Sequence, residues 1–231
     1  NTLNKIARPI VWVLGFAIAL VAIYTAAFGI IDEIYQRSIT VAVSVILSIF
    51  ATPLAGLYQS DKKHIKAGQW AVDFILIFLM ALSILWFSSV YDELESGLYS
   101  FLPIDIAVGC GGLIVVIEMT RRCFGTPLAS FAVLTIVYAL FGADLPWIFA
   151  HGGYDLESVM RTVWYSFDGV FGFIVIIVIS LIFIFIIFGT VLEATGAGAT
   201  LLKISVSLTG AMRGGPAHAA IAASGFFGTI S

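Results

Sequence analysis

The chain has 231 residues, 61% hydrophobic and only 11% charged, with a formal net charge of −3 and a mean hydropathy of +1.08. Soluble domains run at about 45–50% apolar and about 25% charged, and a chain of this length leaves too much surface exposed to hide such a surplus from water. Lipid must bathe most of it, and without a basic footprint no nucleic-acid partner is expected.

A helix that crosses about 30 Å of hydrocarbon needs roughly 20 apolar residues. Six runs have about that length: residues 9–31, 38–58, 70–91, 104–120, 127–149 and 170–192. They predict an all-α integral membrane protein with about six transmembrane helices. The first run follows Lys5 and Arg8, as a signal peptide would, with small residues Thr25, Ala26 and Ala27 near its end. It is long for such a segment and five more spans follow, so it reads as an uncleaved helix. Lys5 and Arg8, then Lys62, Lys63 and Lys66, then Arg121 and Arg122 fall on every second connection, while the loops around Asp32–Glu33 and Asp92–Glu95 are acidic. Basic short loops stay in the cytoplasm. The alternation therefore predicts a cytoplasmic N-terminus.

Two stretches read as amphipathic helices lying along an interface. In 155–167, Leu156, Val159, Met160, Val163, Trp164 and Phe167 recur on one face, with Trp164 expected in the headgroup zone of the outer side. In 197–212, Leu201, Ile204, Leu208, Ala211 and Met212 share one side and Lys203, Ser207 and Gly210 the other, which predicts a helix at the cytoplasmic surface. After Arg213, Gly214, Gly215 and Pro216 comes a small-residue run of about 15 residues that ends in Gly228, Thr229, Ile230 and Ser231. It is apolar enough to enter a bilayer and too short to cross it. Such a segment predicts the start of a re-entrant helical hairpin, since non-helical backbone at membrane depth survives only where protein buries it or a watery cavity meets it. The rival reading is an ordinary span cut short. The chain opens on Asn1 rather than Met and stops at Ser231 with no polar tail, which reads as part of a longer protein.

Few ionisable residues lie within the spans, where each is a functional candidate. Asp73, Asp105 and Glu118 all sit close enough to a span end to reach water, which favours structural or boundary roles. Asp168 is expected to cap the sixth span, Glu193 ends it, and His218 reads as a surface residue. Cys110 and Cys123 form no metal-binding or disulfide pattern. No cofactor is expected, and no nucleophile–base or metalloprotease motif indicates an enzyme. The competing functions are a carrier, a non-transporting scaffold subunit and, behind both, an intramembrane enzyme.

Several segments carry a family likeness. They are 118–122, 127–129, 138–142, 150–157 and 188–198, and above all 208–217 and 222–231, which contain Leu208-Thr209-Gly210-Ala211-Met212-Arg213-Gly214-Gly215-Pro216 and Ser224-Gly225-Phe226-Phe227-Gly228-Thr229-Ile230-Ser231. In this order they resemble the membrane component of TRAP transporters, most closely the TAXI subfamily, in which a small DctQ-type part is fused to a large DctM-type part. The resemblance covers 104–231 in detail, and the first three spans match in number and topology alone.

It implies a four-span scaffold domain in 1–125 and the start of the transport domain in 126–231, truncated in its first hairpin. It also implies a multi-pass protein of the bacterial inner membrane that imports organic acids, such as dicarboxylates or amino acids, by an elevator mechanism. The coupling ion would be sodium, or in some relatives protons. The partner would be an extracytoplasmic TAXI-type solute-binding protein, received on the outer face that carries 156–167. Ser224, Gly228, Thr229 and Ser231 would stand near the substrate and ion site, with a sodium site near Gly228, Thr229 and Ser231. Hydroxyls and carbonyls at a broken helix are hard oxygen ligands suited to a small cation. His218 stands where relatives carry Lys and receives no transport role.

Overall fold

The computed structural model describes residues 2–54 and 63–196, together with 200, 203–204, 206–207, 217–218, 220–221, 224–225 and 228. Six helices are long and apolar enough to cross a membrane, and no strand occurs among the described residues. The protein is an all-α, multi-pass integral membrane protein. Its elements are α1 (Thr2–Phe28), α2 (Glu33–Ala51), α3 (Lys63–Glu95), α4 (Pro103–Phe124), α5 (Thr126–Phe141), α6 (Leu156–Val163), α7 (Phe173–Ile177) and α8 (Phe183–Ala194). A π-helical segment, Val178–Ile182, joins the last two.

Local chemistry sets the boundaries. Asp32 caps α2 by accepting the Tyr35 N–H at 3.1 Å, which satisfies one donor orphaned at the helix start. Pro103 opens α4, where its missing N–H costs nothing, and Arg121 and Arg122 in the last turn complement the helix dipole. Gly125, at φ +89°, adopts a backbone conformation that side chains resist and lets α5 begin directly on Thr126.

Two compact units divide the chain: Asn1–Ile18 with Ile30–Ile176, and Ala19–Gly29 with Ile177–Ser231. In the first, α2, α3 and α4 run up and down around a core that includes Ile49, Met80, Phe87 and Val115. One end of this bundle is acidic, with Asp32, Glu33, Asp92 and Glu95 around a cavity of about 470 Å³. The other end carries Arg121 and Arg122. In the second unit α8 has no buried residue, and Phe185, Ile186, Phe188 and Val191 are exposed, as expected of a helix face that meets lipid.

Three expectations change. The fifth span does not continue to residue 149. It ends at Asp144, because Pro146 holds Leu145 extended at φ −83°, ψ 147°. The amphipathic stretch is helical only over Leu156–Val163, and Trp164 is fully buried rather than placed among headgroups. Its indole lies on α4, where a Cβ built on Gly112 would stand 2.1 Å from the Trp164 ring and one on Gly109 3.1 Å from the Tyr165 ring. Lipid gives helices no hydrophobic reason to associate, so close packing at small residues has to hold them. Asp168, finally, does not cap the sixth span, which starts at Phe173. Its own N–H bonds the Ser166 hydroxyl at 3.0 Å, inside the turn that follows α6. Gly169 approaches that turn so closely that a Cβ would meet the Val163 carbonyl oxygen at 2.1 Å.

Candidate functional site

The residues assigned to the hairpin tip are described in part. Ser224 and Gly228 are both helical and exposed. Four residues apart, they have the spacing that places neighbours on one helix face. Thr229 and Ser231 lie outside the described residues. His218 is helical and exposed, as a surface position requires. Of the expected helix at 197–212, residues 200, 203–204 and 206–207 are helical, with Lys203 and Ile204 exposed.

At the acidic end of the bundle the chain gathers a polar node around Asp105, which is fully buried instead of reaching water. Its carboxylate accepts from Trp86 Nε1 at 2.6 Å, Tyr99 Oη at 2.8 Å and the Leu102 N–H at 2.6 Å. Its carbonyl accepts from Tyr165 Oη at 2.8 Å. Three donors meet the buried carboxylate, with no cation beside it among the described residues, and together with the Tyr165 contact they tie α3, the 96–102 connection, α4 and the turn after α6 to one residue. Burial first, and the charge of Asp105 second, raise the Tyr165 phenol above its ordinary range. Burial and then the hydrogen bond to Asp105 push Tyr99 up to about 12 from 10.0.

The sign of the pH effect follows. An unfolded tyrosine ionises near pH 10, whereas the folded Tyr99 keeps its proton to about 12. Its contribution to stability is therefore complete below pH 10 and is lost as pH rises through 10 toward 12. Thermal denaturation of the detergent-solubilised protein from about pH 9 to about pH 12 should show this decline, and Tyr99→Phe should make it shallower. An identical slope in the variant would remove the assignment.

At the opposite end, Asp73 and Arg122 are also buried. Arg122 Nη1 pairs with Asp73 Oδ1 across α3 and α4, while Arg122 Nε donates to Glu118 Oε1 at 2.7 Å. Arg121 Nε meets Glu118 Oε2 at 2.8 Å. The second oxygen of Asp73 accepts the Leu54 N–H at 3.2 Å, which draws in the chain just after α2. Asp73 and Glu118 thus keep the structural role expected of them, but Asp73 does so by pairing and not by reaching water.

A third contact went unanticipated. Arg37, just ahead of the predicted span at 38–58, is buried on α2. Its Nη1 donates to the Phe171 carbonyl at 2.9 Å and its Nη2 to Glu33 at 3.1 Å. Its guanidinium lies 4.0 Å from the centre of the Phe167 ring. Around the same turn Phe87 packs on Phe171 at 4.9 Å and on Tyr165 at 5.7 Å, and Trp164 packs on Phe171 at 5.1 Å. An apolar run with a cation five residues after its capping Asp32 was the available signal, but it does not name the partner.

These three nodes join helices and connections through buried hydrogen bonds and ion pairs. No curated protein and no solved structure matches the chain. A family model, the DctM component of the tripartite ATP-independent periplasmic transporters, matches residues 112–231, just over half of the sequence and all of the segments from α5 onward. The chain belongs to the DctM family of transporter membrane components.

Proposed function

We propose that the chain is the front part of a fused TRAP permease of the TAXI type in the bacterial inner membrane. Residues 1–125 form its small scaffold domain, and residues from 126 onward begin the large transport domain. The N-terminus and the Arg121–Arg122 end face the cytoplasm. The acidic end, with α6 beside it, faces an extracytoplasmic solute-binding protein that delivers an organic acid. Import is driven by a sodium gradient and proceeds by an elevator motion. The family match over residues 112–231 carries the reading. The acidic loop residues Asp32, Glu33, Asp92 and Glu95 at one end of the α2–α4 bundle and the Arg121–Arg122 pair at the other support the orientation.

The test is uptake of labelled organic acids into proteoliposomes that contain the complete protein and its binding protein. Uptake should require an inward sodium gradient. Thr229→Val, which removes a hydroxyl ligand, should lower it roughly tenfold, the worth of one hydrogen bond to a charged group. Sodium dependence unchanged in Thr229→Val would dismiss that hydroxyl as a ligand. Failure of the unaltered protein to move any solute would favour the scaffold subunit.

A further inference from the structure

The connection between α5 and α6 carries an apolar surface that the transport reading leaves unused. Leu145 is 37% exposed, Trp147 87%, Ile148 69%, Phe149 60% and Tyr154 61%. Water contact on so many large apolar side chains in one short loop is unfavourable. The loop is also held in place rather than free to tuck them away. The His151 N–H donates to the Gly142 carbonyl at 3.0 Å and the Tyr154 N–H to the Ala139 carbonyl at 3.0 Å. The His151 ring joins in twice: Nδ1 accepts the Gly153 N–H at 3.1 Å, which leaves the proton on Nε2 to donate to the Tyr138 carbonyl at 3.0 Å. Tyr138 Oη donates to the Phe149 carbonyl at 3.1 Å. Trp147 itself sits at φ +59°, a conformation that non-glycine residues resist and that persists only where the surroundings impose it.

A strained, anchored backbone that projects an indole away from its own protein has its partner outside. The position of the loop identifies that partner. Phe131, Leu134, Tyr138 and Phe141 form a stripe at helical spacing along α5, all exposed, and α5 is a membrane span. The hydrogen bond from Tyr138 to Phe149 seats the loop on this stripe, so the lipid-facing surface of α5 runs without a break into residues 145–149. Trp and Tyr favour the depth where acyl chains meet headgroups, and Asp144 and Asp155, both exposed, mark the polar rim on either side.

We infer that residues 145–149 are a membrane anchor: a short wedge, clamped by His151, whose Trp147, Ile148 and Phe149 enter the headgroup–acyl boundary beside α5. The partner is phospholipid, and the inference holds for either orientation of the protein and for any substrate.

Trp147 reports on this directly. The complete protein and its Trp147→Leu variant would be reconstituted in phosphatidylcholine vesicles, and the difference in their fluorescence taken as the Trp147 signal. Phosphatidylcholine brominated near the top of its acyl chains should quench more than about half of that signal, because an interfacial apolar face lies about 5–10 Å deep. Aqueous iodide should quench little of it. Strong quenching by iodide would place the loop in water and overturn the inference. Protection from both quenchers would put a protein surface over it and overturn it equally. A nitroxide on Ile148→Cys, in a background lacking Cys110 and Cys123, gives an independent reading: oxygen should relax it more effectively than a water-soluble nickel chelate, and the reverse order counts against the anchor.

Discussion

Gly112→Ala is expected to destabilise the bundle severely, while Gly111→Ala, one residue away, is tolerated. A Cβ at 112 would sit 2.1 Å from Cζ2 of Trp164 and 2.2 Å from Cη2, well inside van der Waals contact, whereas one at 111 would meet the Leu79 side chain at an ordinary 3.7 Å. The indole has little room to retreat. Phe171 packs on it at 5.1 Å, Arg37 holds the Phe171 carbonyl, and Tyr165 is fastened to Asp105. Overpacking of this kind costs about 1–3 kcal/mol in soluble cores, and here the upper part of that range or beyond is expected because the neighbours are themselves tied. Thermal unfolding in detergent should show a large drop in Tm for Gly112→Ala and little change for Gly111→Ala. Adding Trp164→Leu should recover part of the loss, since the two sites touch and must couple. Equal Tm for the two glycine variants would mean that the indole does not fill this notch.

That notch also explains what the sequence made legible and what it withheld. Six crossings could be read because each needs only a run of apolar residues, a property of the chain alone. The helix at 156–163 could be read for the same reason, from its periodicity. Its destination could not. An apolar stripe ending in Trp164 suits a headgroup layer and a protein groove equally well, and the groove is made by Gly109 and Gly112 on another helix. The overrun of the fifth span has a related cause: Leu145, Trp147, Ile148 and Phe149 are as apolar as a span, and only the preference of Pro146 for an extended predecessor ends it. Asp73 and Asp105 were each placed near water because each lies near a span end, but Asp73 meets Arg122 across 49 residues and Asp105 meets Tyr165 across 60. Ser224 and Gly228 came from the resemblance to TRAP transporters, and both are helical. Thr229 and Ser231 lie outside the described residues.

The second large effect concerns the buried charges at the other end of the bundle, and it should be asymmetric. Removing one member of a buried pair costs about 3–5 kcal/mol, mostly because the survivor is left uncompensated. Arg122→Leu strands Asp73, which among the described residues then keeps the Leu54 N–H at 3.2 Å, so it should approach that cost. Asp73→Asn leaves Arg122 still bound to Glu118 at 2.7 Å and keeps one acceptor oxygen toward it, with the amide nitrogen left facing the Leu54 N–H, so it should cost clearly less. Arg122→Lys should not rescue the loss, because one ammonium cannot span two carboxylates on different helices as the guanidinium fork does. The double variant Asp73→Asn with Arg122→Leu should be more stable than Arg122→Leu alone, since the stranded carboxylate is gone and Glu118 retains Arg121 at 2.8 Å. Size-exclusion profiles of heated, detergent-solubilised variants supply the ranking. A double variant no better than Arg122→Leu would show that the guanidinium contributes by packing against α3 and not by neutralising Asp73.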